Sequence, residues 1–516
     1  MSIGKWTDDL LAMCPDVAEK VEAEAEKIDR RAITSAQNGQ SGGRPFLRTE
    51  ALAEDFLRER YTQDGFLTLR RYRGVWYEWR GDYWHERADG DIRAAIAGHL
   101  QARAVGEVTR LSRRTIDDVV AMLDSDRLCA LDSLKYRIPC FLPNGESAAG
   151  WMPTKNVVIN VEVVAKAMER GEPIPLEAVR APSPDLFVTY GLDYEFNPDA
   201  QCPKFLKYLS EVQPSDENRE CLQMLAGLAL VPDCRYNVAF FLCGEAGTGK
   251  SVFMNVLAHL VGEDNCCAIP LASLAARFGK APLTEKLLNI VGDLPTMPES
   301  GNANSVEGFF KQITSGEEIP VERKGVDAYK APATARMVFA TNSMPYVADR
   351  SKAIWDRLRI IPFNQRIRGT ERQNPNLAVE LRDELPGVLN WALVGLAKLR
   401  KQAQFPECSE GAALKEEHRN ACDHELEFLT GVVEEAPEGR VSSDQLFKDY
   451  KKWMLENNYR PTGAATFKKA VKRIFPKSYE KRERVGTRQI TFFCNIRVIS
   501  DLKFGVQAVQ TSYSPL

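Results

Sequence analysis

The sequence predicts an α/β protein: a core built on a strand, a glycine-rich loop and a helix, an N-terminal α+β extension and a C-terminal winged-helix unit. Three observations predict it. The apolar run Val238–Leu242 leads into Gly244-Glu-Ala-Gly-Thr-Gly-Lys250-Ser251, and an apolar-periodic run follows from Val252 to Val261. Aromatic and polar residues alternate between Phe66 and Trp84, with Gly74 and Gly81 at turns, as in a small antiparallel sheet. Near the C-terminus a capped amphipathic helix (443–456), a second helix (467–475) and a basic hairpin turning at Gly486 follow one another.

Taken in order, residues 1–45 are polar and Ala/Glu-rich and end in a glycine-serine stretch that reads as a linker. Residues 46–200 form the α+β extension, with helices over 51–60, 92–103 and 114–123 around the aromatic sheet. Asp91 of Asp89-Gly-Asp91 reads as a helix N-cap rather than half of a metal pair. Residues 201–425 hold the core, entered by a helical segment over 203–229 and closed by another over 376–402. Residues 426–516 form the winged-helix unit.

Composition excludes several classes. A chain of 516 residues accommodates about three domains. With 44% hydrophobic and 27% charged residues it is ordinary for a globular protein, and it lacks the 18-residue apolar run of a membrane span. The N-terminal residues lack the basic-then-apolar plan of a signal peptide, so a cytoplasmic location and no membrane partner are expected. The 12 cysteines are scattered, with Cys266-Cys267 the one adjacent pair, and the five histidines do not share metal spacing with them. The cysteines read as small buried hydrophobes, and no structural zinc is expected.

The loop fits G-x-x-x-x-G-K-[ST]. Gly244, Gly247 and Gly249 let backbone N–H groups turn toward phosphate oxygens, and the helix N-terminus adds its positive dipole end. Lys250 reaches the β/γ-phosphates, Ser251 holds Mg²⁺, and Val252 is counted with the nucleotide-binding set; ATP with Mg²⁺ is the expected ligand. Leu287–Asp293 is an apolar strand ending in a carboxylate, placed to bind the metal with Ser251. A second strand, Arg336–Asn342, ends in an amide that can orient water near the γ-phosphate, although Asn also favours turns. Arg357 and Arg359 precede a third apolar run. A guanidinium there can stabilise transition-state charge in a neighbouring copy's site, or be salt-bridged at the strand edge.

Between the two strands, short β-runs flank Arg323-Lys324-Gly325, a basic hairpin tip suited to a phosphate backbone or simply to solvent. In the C-terminal unit basic residues gather, Lys468, Lys472 and Arg484 among them. This footprint points to duplex DNA, with a solvated face or a subunit contact as the other reading.

These elements, in this order, resemble superfamily 3 helicases, and most closely the helicase half of phage, plasmid and poxvirus primase–helicases. The motifs that carry the resemblance are Gly244–Ser251, Asn289–Asp293, the block 310–329, Ala340–Pro345 and Arg357. It implies an AAA+-type ATPase core in a homo-oligomeric ring, a hexamer in that family, moving 3′ to 5′ on single-stranded DNA to replicate a mobile element. Asp293, Asn342 and Arg357 then take the Walker B, sensor and trans-acting finger roles, and Lys324 enters the central channel. Asp293 is followed by Leu294 where many relatives carry a second acid, which leaves the water-activating base between Glu299 and Glu307. A primase or polymerase would be a separate partner. The rival readings are an ATP-switched DNA-binding initiator that does not unwind, and a protein-remodelling ATPase.

Overall fold

Helix α1 (Thr49–Arg60) packs against α3 (Arg113–Leu123), which starts at Ser112, whose side chain accepts from the Thr115 amide at 3.2 Å. Between them lie β1 (Leu69–Tyr72), β2 (Val75–Trp79), β3 (Trp84–Arg87) and α2 (Asp89–Arg103). The three strands are antiparallel neighbours, and β4 (Ala130–Leu131) joins β1 in parallel. The computed structural model describes residues 49–103, 112–125, 128–133, 135–276, 280–293, 303–323, 326–342, 344, 352–457, 459 and 461–499. The linker expected over 1–45 lies outside these. Asp91 is not an N-cap: α2 begins two residues earlier, where Asp89 accepts from Trp76 Nε1 at 3.3 Å and from Arg93 Nε at 2.6 Å.

After α4 (Val161–Arg170), the expected helical segment over 203–229 is two helices, α5 (Pro203–Val212) and α6 (Asp216–Leu228). Pro214 disfavours helical dihedrals at Gln213, and Ser215 caps the second helix by accepting from the Asn218 amide at 3.4 Å.

At the centre is a five-stranded, wholly parallel sheet of β5 (Ala239–Cys243), β6 (Cys266–Cys267), β7 (Leu288–Val291), β10 (Arg336–Thr341) and β11 (Leu358–Pro362), in the order β6-β7-β10-β5-β11. Every residue of β5 and β10 is buried, as central parallel strands covered on both faces require. Phe240 and Leu242 enter one core and Phe241 and Cys243 the other, the period of two dividing the strand between two faces. Cys266 and Cys267 divide likewise, and burial pushes both thiols up to about 12. Between β7 and β10 run helix α8 (Ala303–Ser315) and the antiparallel hairpin β8 (Glu318–Arg323) and β9 (Val326–Pro332). Helix α7 (Lys250–Val261) follows β5.

Helix α9 (Leu385–Gln402) crosses α6 backbone to backbone. A Cβ at Gly395 would sit 2.2 Å from the Gln223 oxygen, and one at Gly227 2.4 Å from the Ala392 oxygen. Gly395→Ala is therefore expected to destabilise the fold by about 1–3 kcal/mol. A fall in the urea midpoint checks this; an unmoved midpoint would show that the helices can part at no cost.

The C-terminal part runs α10 (Ser409–Ala421), α11 (His424–Val432), β12 (Val433–Ser442), α12 (Ser443–Glu456), α13 (Ala464–Ile474), β13 (Tyr479–Val485) and β14 (Arg488–Val498). Its strands are antiparallel in the order β12-β14-β13. Gly486, at φ 61°, supplies the left-handed backbone that the two-residue β13–β14 turn needs. Phe428, Tyr450, Phe467 and Phe493 fill a core of its own. Among the described residues, no helix is long and apolar enough to cross a membrane.

Candidate functional site

Gly244–Gly249 joins the carboxyl end of β5 to the amino end of α7. Its shape depends on the absence of side chains. Gly247 and Gly249 have φ of 84° and 94°, which an L side chain rarely adopts. A Cβ at Gly244 would lie 2.2 Å from the Phe363 oxygen, at Gly247 2.5 Å from Arg368 Cβ, and at Gly249 2.7 Å from Val212 Cγ1. Neighbours fix the loop from outside. Tyr208 Oη donates to the Gly249 oxygen at 2.8 Å, and the amides of Ile367 and Arg368 donate to the Gly247 oxygen at 2.9 and 3.0 Å. No side chain caps α7, so the positive end of its dipole faces outward beside exposed Ser251 and half-buried Val252.

Lys250 is buried and folds back over its own loop. Its Nζ donates to the Gly244 oxygen and, at 2.8 Å, to the Glu245 oxygen. Burial lowers its pKa, while the nearby Cys243 and Asp293 push it back up.

Sheet register brings two more predicted residues to this edge. Cys243 pairs with Thr341, so Asn342 stands level with Gly244. Val291 pairs with Phe339, so Asp293, two residues on, stands level with Thr341. Both are exposed. Loop, carboxylate and amide thus occupy the carboxyl ends of three adjacent parallel strands, where ligands bind in open α/β sheets. Of the two candidate bases, Glu299 lies outside the described residues and Glu307 is buried within α8.

Arg357 lies at the opposite edge. It immediately precedes Leu358, the partner of Ala239, and its carbonyl accepts from the Ala239 amide at 2.8 Å. It stands level with Val238, six residues before Gly244, so about 20 Å of strand separates the two at ~3.3 Å per residue. Its guanidinium donates to Thr314 Oγ1 at 3.1 Å, Ser315 Oγ at 2.8 Å and the Ala353 oxygen at 2.6 Å. These acceptors are neutral, and among the described residues no carboxylate pairs with it. Arg359 donates to the Asp356 and Leu358 carbonyls.

The basic residues are more heavily engaged than their spacing suggests. Arg323 pairs with Glu285, which also accepts from Tyr329 Oη at 3.0 Å. Lys324, at the tip, lies outside the described residues. Lys468 and Lys472 both hold Glu480, at 2.8 and 2.9 Å, and their hydrogen bonds keep its carboxyl below the usual range. Arg484 is exposed and, among the described residues, has no ion pair. Glu285 and Glu480 lie remote in sequence from the arginine and lysines they hold, so only the fold reveals these pairings. Tyr208 and Arg368 were likewise missed; the one available signal was their presence in segments flanking the loop-bearing core.

Three family profiles match the chain. One described as D5 N terminal like matches residues 54–214, one described as Poxvirus D5 protein-like matches 422–495, and a family of unknown function, DUF5906, matches 242–357, from the end of β5 to Arg357. "Putative helicase 121R" of Invertebrate iridescent virus 3 is 22% identical over 256 residues, a match covering 43% of this chain and 27% of that protein. The matched part thus spans about a quarter of the viral relative's length. Two apo structures of the NrS-1 C-terminal region share 12% identity with the chain at TM-scores of 0.46 and 0.47, covering 86% and 87% of it and 98% and 99% of the NrS-1 chains. D5-type profiles thus match on both sides of the loop-bearing sheet, which relates the chain to the D5-like primase–helicases.

Proposed function

We propose that this protein is an ATP-hydrolysing DNA helicase that works as a homo-oligomeric ring, with an AAA+-like P-loop core and a C-terminal winged helix. The observation that carries the reading is the separation of Arg357 from the phosphate loop across the parallel sheet. An arginine at the far edge cannot serve its own loop. In a head-to-tail ring the far edge of one copy faces the loop edge of the next, so Arg357 would complete a neighbour's site and stabilise charge on the transferring phosphoryl group.

The loop fits a triphosphate. Three glycines leave room where any Cβ would collide, and an uncapped helix N-terminus faces the opening. Lys250 would exchange its two carbonyl partners for phosphate oxygens, and Asn342 would orient the attacking water. Ser251 and Asp293 would hold Mg²⁺, which supplies charge neutralisation across the phosphates. Arg368, whose backbone amide donates to the Gly247 oxygen, would add a positive charge beside the same phosphates. Lys324, with Arg323, would grip the single strand, while Arg484 and the Lys468–Glu480–Lys472 cluster would face duplex DNA.

Strand displacement on 3′- and 5′-tailed duplexes tests this reading. ATP-dependent displacement with a 3′ tail, and little with a 5′ tail, is expected. Tight DNA binding with slow turnover and no displacement would instead favour an ATP-switched initiator.

A further inference from the structure

A cleft of about 390 Å³ separates the N-terminal aromatic sheet from the β8–β9 hairpin. Its size falls within the range of small-ligand sites. Tyr72, Arg73 and Tyr77 line it from one side, Arg323 and Tyr329 from the other, and Tyr190 also borders it. Two of these residues are incompletely partnered. Tyr190 is 5% exposed, and its buried hydroxyl has no hydrogen-bond partner. Such a group is costly unless something supplies its bond. Arg73 occupies the β1–β2 turn at φ 50°, a conformation uncommon for a residue with a long side chain. It carries its guanidinium over the rings of Tyr329, at 4.4 Å, and Tyr72, at 5.1 Å, and its buried Nε is also without a partner.

Charge is divided unequally across the cleft. Glu285 engages Arg323 and fixes Tyr329 through its hydroxyl, whereas among the described residues no carboxylate pairs with Arg73. The cleft therefore offers aromatic surfaces and a guanidinium that no carboxylate among the described residues holds. An unstacked base carrying its phosphate presents the matching features: a π face, ring-edge hydrogen-bonding groups and a negative charge.

We propose that this cleft holds one base and its phosphate from the single strand that the hairpin engages, with Arg73 stacking on the base or pairing with the phosphate. This rests on the reading that the chain acts on single-stranded DNA. The N-terminal sheet then belongs to the DNA path, and Arg73 is a nucleic-acid contact.

Fluorescence anisotropy of a labelled oligothymidine with the full chain, at fixed salt and with AMP-PNP and Mg²⁺, tests the proposal. Arg73→Asn tolerates the left-handed backbone and removes the guanidinium. It is expected to weaken binding about 5- to 100-fold, with basal turnover and melting temperature unchanged. Photo-crosslinking the native chain to an oligonucleotide carrying 5-iododeoxyuridine should place adducts on Tyr72, Tyr77 or Tyr329, and this result does not depend on any variant folding. Native affinity in Arg73→Asn, or adducts confined to other parts of the chain, overturns the cleft while leaving the helicase reading intact. A native chain that binds no oligonucleotide overturns both.

Discussion

Replacing Arg357 with alanine is expected to lower ATP turnover by about 10³-fold or more while leaving nucleotide affinity nearly unchanged. The geometry gives both halves of this result. Arg357 is about 20 Å of strand from the loop of its own copy at ~3.3 Å per residue, so its removal takes nothing from nucleotide binding there. Its present acceptors are two hydroxyls and a carbonyl, which can release it to a phosphate at less cost than a carboxylate would. Arg357→Lys keeps the charge but loses the forked donor geometry, and should recover only part of the activity. Steady-state turnover and the equilibrium affinity of a fluorescent ATP analogue check both parts. A parallel loss of affinity would place Arg357 in its own copy's site.

The second large effect is at Lys250. Lys250→Ala is expected to reduce turnover by about 10²–10³-fold, the usual cost of removing one preorganised charge from a reacting centre. Nucleotide affinity should fall as well, in contrast to Arg357→Ala, because this amine lies within the loop that would receive the phosphates. Folding should survive, since α7 is anchored by Phe253, Leu257 and Leu260 and not by the lysine. Circular dichroism and turnover measured on the same sample separate these effects. Retained hydrolysis would remove the loop from the active site.

The strand–loop–helix unit was legible in the sequence because its determinants are local. The glycines and the GKS triplet are contiguous, and the apolar runs beside them fix their context. The strands leading to Asp293 and Asn342 could also be read, since an apolar run followed by a polar residue is a local pattern. Placing them beside Gly244 required the strand order and register, which arise from long-range pairing. The opposed position of Arg357 was hidden for the same reason, although it is the feature that separates an internal site from a shared one. The basic residues misled in a different way. Counting lysines cannot show that Glu480 holds two of them, or that Glu285 holds Arg323, because each partner comes from a separate segment. The break at Pro214 could have been anticipated from the restriction proline imposes on the residue before it.

The most direct test of the shared site is to mix the two inactive variants. Arg357→Ala retains an intact loop, and Lys250→Ala retains an intact finger. If the site forms between copies, mixed assemblies contain loops served by a neighbour's native arginine, and turnover should rise above that of either variant alone, passing through a maximum as the ratio changes. Turnover that remains at the sum of the two separate variants at every ratio, in assemblies shown to exchange subunits, would contradict the account.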